Sequence, residues 1–195
     1  MLPNFICPGA QKSATTTLYE ILKQHPDIYL PYKKELRFFS GDCWKKGIDW
    51  YRQQFADHSG ERVVGDISPN YMRKQKTVER IYNTLGPDIK LIFLLRNPAD
   101  RAFSHYRMSV RRQRVDGSFS ECIEKEINRI ERGCNAQTVE KHVFNGLYSV
   151  QIKWFLQYFP KENMKFVLFE NFTKNTEAVC KDIFRFLGVE ENPQG

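Results

Sequence analysis

The sequence predicts an α/β fold, a central parallel sheet flanked by helices, on three observations. Short apolar segments of strand length alternate along the chain with segments whose apolar residues recur at helical spacing. Lys90-Leu-Ile-Phe-Leu-Leu95 holds five consecutive apolar residues, as in a strand covered on both faces. The unusual clusters, Gly9–Thr17, Asp66–Tyr71 and Arg96 with the residues after it, each come at the end of such a strand. Open α/β sheets bind ligands beyond those carboxyl ends.

In order, Phe5 to Pro8-Gly9 is a buried strand, followed by a tight loop and a helix carrying Leu18, Ile21 and Leu22, closed by His25-Pro26. Ile28-Tyr29-Leu30 is a short strand, and Lys33 to Arg37 a charged loop running into Phe38-Phe39. Gly47 to Phe55 reads as a helix through Ile48, Tyr51 and Phe55, and Arg62 to Asp66 as a second central strand. An amphipathic helix with Val78, Ile81, Tyr82 and Leu85 ends at Gly86-Pro87. After the strand Lys90–Leu95, a long helix spans Ala99 to about Arg114, with Pro98 near its first turn. Phe119 to Glu131 and Tyr148 to Phe159 are further helices, with 133–144 a loop between them. Lys165 to Phe169 is the last strand and 174–187 the last helix, stopped by Gly188.

A chain of 195 residues suits one domain, residues 1–195, and its 41% hydrophobic and 14% aromatic content argues against disorder. No apolar run approaches the ~20 residues of a membrane span. The start does not resemble a signal peptide, so the expected location is cytoplasmic, with the Golgi lumen as the alternative for a trimmed eukaryotic chain. The formal charge of +7 favours an anionic partner without choosing among nucleic acid, nucleotide and polysaccharide. Five scattered cysteines, with no C-x-x-C and no histidine at ligand spacing, argue against a metal site. Reduced thiols are favoured over a single bridge such as Cys122 with Cys134.

The first loop carries Lys12 and four small hydroxyl residues, Ser13, Thr15, Thr16 and Thr17. A helix start leaves amides unpaired and partially positive, so it favours phosphate or sulfate, and Lys12 adds a full charge. The plainer alternative is a turn capped by Ser13 or Thr15. A nucleoside triphosphate loop, G-x-x-x-x-G-K-[ST], fits poorly: Gln11 stands where its second glycine belongs and Gly9 is three residues before Lys12. Arg96 ends the strongest strand, with Ser104 two turns into the next helix, a guanidinium and a hydroxyl suited to a second phosphate. Its plainer alternative is Arg96 paired to Asp100 with Ser104 in solvent. Two anion sites at one sheet edge suit a ligand with phosphates at both ends.

Pro8-Gly-Ala-Gln-Lys-Ser-Ala-Thr-Thr-Thr17 resembles the 5′-phosphosulfate loop of sulfotransferases that use 3′-phosphoadenosine 5′-phosphosulfate (PAPS), and Leu94 to Tyr106 resembles their 3′-phosphate motif. Lys34-Glu35 before Phe38-Phe39, Gly47 to Tyr51, Asn145 to Ser149 and Trp154 are similar to the branch of heparan sulfate N- and 3-O-sulfotransferases. The resemblance implies a three-layer P-loop-like fold and transfer of a sulfuryl group from PAPS to an acceptor hydroxyl or amine, releasing PAP without a metal. It implies donor binding by Gln11, Lys12, Ser13, Ala14, Thr15, Thr16, Thr17, Arg96 and Ser104, with Lys12 on the bridging oxygen and 5′-phosphate. It makes Glu35 the general base, with a histidine (His25, His58, His105 or His142) as the alternative.

The acceptor implied is a carbohydrate rather than a phenol or a nucleic acid, met by Lys34, Asp66, Ser68 and Tyr71. Trp50, Tyr51, Phe38 and Phe39 are expected in the core and cleft wall, and Arg111-Arg112-Gln113-Arg114 on a solvated face or an acidic-acceptor groove. Three departures stand out. Ala14 replaces a usual glycine, acceptable if the backbone there is helical. Ile67 stands where the heparan enzymes carry a lysine. The chain also stops at Gly195, before their basic nucleotide-covering segment. The competing functions are a phosphate-loop kinase and a non-catalytic polyanion binder.

Overall fold

The computed structural model describes residues 1–133 and 141–191. Five strands form one parallel sheet: β1 (Phe5–Gly9), β2 (Ile28–Tyr29), β3 (Val63–Ile67), β4 (Lys90–Leu95) and β5 (Met164–Leu168), in the order β2-β3-β1-β4-β5. β1 lies at the centre, in parallel register with β3 on one side and β4 on the other. Every residue of β1 and β3 is buried, as strands covered on both faces must be.

Strand periodicity divides the sheet into two cores. Phe5, Cys7, Ile92 and Leu94 face one side and pack with Leu18 and Leu22 of α1 (Thr15–Leu22) and with Ile183 and Leu187 near the C-terminus. Ile6, Leu91 and Phe93 face the other side. They pack with Tyr51 of α2 (Gly47–Gln53), Val78 and Ile81 of α3 (Gln75–Leu85), and Phe155. Each side chain of this kind contributes about 1.5–3 kcal/mol on burial, so helix, sheet and helix are bound as three layers. Gly65 is required at the β3–β1 contact, because a Cβ there would strike the Phe5 ring.

The remaining helices are α4 (Pro98–Arg111), α5 (Phe119–Glu131), α6 (Tyr148–Leu156), α7 (Phe169–Lys174) and α8 (Thr176–Leu187). Asn97 caps α4, its side chain accepting from the amides of Ala99 and Asp100 ahead of a favourable Pro98. Ser118 and Glu121 form a reciprocal capping box on α5. Several boundaries differ from expectation: α2 ends at Gln53 rather than Phe55, and α6 at Leu156 rather than Phe159. α4 stops at Arg111 rather than Arg114, since Gln113 turns left-handed at φ 52°. The last helix, α8, starts at Thr176 rather than 174, because Asn175 leaves helical geometry at φ −134°, and a separate helix, α7, precedes it.

Part of the loop expected over 133–144, with Cys134, lies outside the described residues; Cys7, Cys43, Cys122 and Cys180 are free thiols. Among the described residues no helix is long and apolar enough to cross a membrane.

Candidate active site

β3, β1 and β4 are neighbours, so the segments that leave their carboxyl ends converge on one sheet edge. The first loop, residues 10–14, is tied to β4 by the Ala10 amide donating to the Leu94 carbonyl at 2.6 Å. Gly9 precedes it with no room for a side chain: a Cβ would meet the Met72 thioether. Ser13 and Thr15 are buried, whereas Thr16 and Thr17 lie exposed in the first turn of α1. The residue capping α1 is Ala14, and no side chain caps the helix, so neither Ser13 nor Thr15 serves as the cap. The side-chain oxygen of Gln11 is engaged by the Arg73 guanidinium.

Ala14 corrects one expectation. Its backbone is left-handed, φ 63° and ψ 24°, not right-handed helical. A Cβ is disfavoured there, and Lys12 shares the strain at φ 72°. Ala14→Gly is therefore expected to stabilise the protein by about 1 kcal/mol, seen as a higher urea midpoint at unchanged m-value. A lower midpoint would show that the loop does not hold this geometry in solution.

Lys12 and Arg96 open into one cleft of about 610 Å³, which Ser104 also lines. Arg96 does not lie free at the strand end. Its Nη1 donates to the Lys12 carbonyl at 3.3 Å, and its guanidinium sits 4.4 Å above the Phe169 ring. The Tyr148 hydroxyl holds its backbone, donating to the Arg96 carbonyl at 3.0 Å. Burial, followed by the charges of Arg111, Arg112 and Arg96, lowers the Lys12 ammonium below its ordinary pKa. So many cations around one amine are unfavourable until an anion shares the space.

Glu35 sits on the loop between β2 and α2, again left-handed at φ 62°. Arg37 Nη2 donates to its Oε2 at 2.7 Å, and Lys34 Nζ lies 3.3 Å from Oε1. Partial burial pushes this carboxyl up, but the Arg37 hydrogen bond and the charges of Lys34 and Arg37 outweigh it, and the net pKa falls below the ordinary value.

Asp66, Ser68 and Tyr71 call for a correction. They were expected to face the acceptor, yet all three are at most 1% exposed. Tyr51 and Tyr71 hydroxyls donate to Asp66 Oδ2 at 2.9 and 2.7 Å, and the Ser68 hydroxyl to Oδ1 at 2.7 Å. Ser68 in turn accepts from the Arg37 amide at 3.2 Å. Their polar atoms are thus committed to a buried network that anchors the Glu35 loop to the end of β3. Burial raises the Asp66 pKa in spite of the three hydroxyl donors. Ile67 packs in the core, and the amine beside Glu35 is Lys34.

The histidines have structural partners. His25 bonds the Glu190 carbonyl, His58 the Glu61 carbonyl, and His105 Nδ1 lies 2.9 Å from His142 Nδ1. Burial, together with nearby His142 and cations, pushes His105 down to about 3. Phe38, Phe39 and Tyr51 form a buried aromatic cluster, with Phe38 and Tyr51 stacked at 4.4 Å. Tyr148 belongs to the Asn145–Ser149 segment already singled out, whereas Arg37 and Phe169, which also brace the two key side chains, carried no motif of their own. Only their position, two residues after Glu35 or at the end of an apolar strand, marked them.

A family model described as a sulfotransferase domain matches residues 2–194. A sulfotransferase structure from Alicyclobacillus acidocaldarius superposes with a TM-score of 0.86 at 38% identity, covering 99% of this chain and 83% of that one. Bifunctional heparan sulfate N-deacetylase/N-sulfotransferase 4 of Mus musculus is 30% identical over an alignment that covers 96% of this chain. Heparan sulfate glucosamine 3-O-sulfotransferase 5 of Mus musculus is 30% identical over 168 residues, 85% of this chain. The chain spans 22% and 47% of the lengths of these two relatives.

Proposed function

The chain belongs to the sulfotransferase domain family, and from that premise we propose that it transfers a sulfuryl group from PAPS to an acceptor hydroxyl or amine, releasing PAP. The observation that carries this reading is the shared cleft of Lys12 and Arg96, two cations delivered by adjacent strand ends. The residues present suit a doubly phosphorylated nucleotide: the cleft is rich in cations, and Arg96 Nε is buried without a hydrogen-bond partner among the described residues.

Lys12 is assigned to the bridging oxygen and 5′-phosphate, with hydroxyls of Ser13 and Thr15–Thr17 and the first amides of α1 as further donors. Arg96 and Ser104 are assigned to the 3′-phosphate. When bound, the donor supplies the electrophilic sulfur and the leaving phosphate. Glu35, ionised at neutral pH, takes the proton from the attacking acceptor atom. Asp66, Ser68 and Tyr71 hold the Glu35 loop in place, while Lys34 beside the carboxylate is assigned to the acceptor side. The similarity to enzymes named for heparan sulfate and the charge of +7 support a carbohydrate acceptor.

Thermal shift tests the donor. PAP at 100 times its dissociation constant is expected to add about 2.7 kcal/mol and raise the melting temperature by a few degrees. ATP with magnesium is expected to leave it unchanged, and Arg96→Ala to remove most of the PAP effect. A larger shift with ATP and magnesium than with PAP would place the chain with phosphate-loop kinases instead.

A further inference from the structure

The cleft wall holds two cations, Arg107 and Arg111, that the donor motifs do not include. Among the α4 residues that line it, Asp100, Ser104, Arg107 and Arg111 lie at spacings of four, three and four, so they form one stripe along a single helix face. Ser104 marks the end shared with Arg96. Arg111 lies seven residues further on, roughly 10 Å along the axis. We infer that Arg111, itself exposed, is a donor-binding residue for the 5′ end of the nucleotide, a second cation beside Lys12 in the cleft. This rests on the PAPS reading of the cleft.

The position of Arg111 along the stripe, away from Ser104, and two further observations support this assignment. It lines the same cavity as Lys12, although it is the last residue of its helix. Its charge also bears on the Lys12 ammonium, together with those of Arg112 and Arg96. On this assignment Arg96 and Ser104 take one anionic group, while Arg111, further along the α4 stripe from Ser104, joins Lys12 on the other. A guanidinium is well suited to this, since its planar fork can bond two phosphate oxygens while an ammonium contacts a third.

Ligand truncation tests the assignment by calorimetric titration of PAP, adenosine 5′-monophosphate and adenosine 3′-monophosphate. In Arg111→Ala, PAP and the 5′-monophosphate are expected to bind about tenfold more weakly, as for loss of one partly solvated charged contact. The 3′-monophosphate is expected to bind as it does to the wild type. Arg111→Lys, which keeps the charge, is expected to give a smaller loss in the same ligand order, and serves if the alanine variant melts early. Equal affinity for all three ligands, or a loss with the 3′-monophosphate, would overturn the assignment. Failure of the wild type to bind PAP would overturn the nucleotide reading itself, a distinct result.

Discussion

Replacing Lys12 with alanine is expected to lower kcat about 100- to 1,000-fold, the usual effect of removing one preorganised group that meets developing charge. PAP affinity should fall far less, because Arg96, Ser104 and the amides of α1 remain. The asymmetry comes from the part Lys12 plays in the proposed reaction. As the sulfur–oxygen bond breaks, negative charge grows on the bridging oxygen, and only an interaction stronger in the transition state than in the ground state raises kcat. The lowered proton affinity of the ammonium, caused by burial and the arginines around it, reports a site starved of negative charge. The left-handed backbone at Lys12 is unfavourable for alanine as well as lysine, so the substitution leaves loop strain almost unchanged. Steady-state kinetics with PAPS and titration with PAP check both halves. A kcat within threefold of wild type, or an equal loss in PAP binding, would remove Lys12 from the chemical step.

Glu35→Gln is expected to lower kcat/KM by about 100- to 10,000-fold, the range of a positioned general base, with PAP binding intact. Full activity in this variant would return the base role to another group. The pH profile gives a second check. Arg37 and Lys34 hold the carboxyl below its ordinary pKa of 4.5, so it stays ionised down through that value. No ionisation of Glu35 should appear between pH 5 and 8, and the acid limb of kcat/KM should lie below 4.5. Stability has the same sign. A depressed folded pKa contributes stability above the unfolded value, and that contribution is lost as pH falls through the folded one. Removing the Arg37 side chain with Arg37→Ala should move the acid limb upward, toward neutrality. An unmoved limb would mean that Arg37 does not tune the base.

The sheet was legible because its strands are uninterrupted apolar runs closed by polar residues, and burial on both faces demands that composition. Lys12 and Arg96 were legible for a related reason: a charge directly after a buried strand has few places to go except the ligand edge. The conformation of Ala14 was not, because neighbouring residues do not reveal a left-handed turn that the loop's tertiary bonds impose. Asp66 looked like an acceptor contact because it belongs to one of the clusters at a strand's end on the ligand edge. Its burial depends on hydroxyls from Tyr51 and Tyr71, and no local pattern pairs those residues with it. Arg111 was recognisable as a cation at a helix end. The face it shows is set by how α4 packs, which its own run of arginines does not encode.

The hydrogen bond from Arg96 to the Lys12 carbonyl has a consequence for how this scaffold can change. It fastens the two grips to one another through main chain, on the β1 and β4 side, so the span between them works as a fixed gauge. Glu35 hangs from a separate stretch moored at β3. In the proposed reaction, recognition of the donor and choice of recipient thus reside in different pieces of polypeptide. The second can be rewritten by exchanging the segment around Glu35 while the first keeps its calibration.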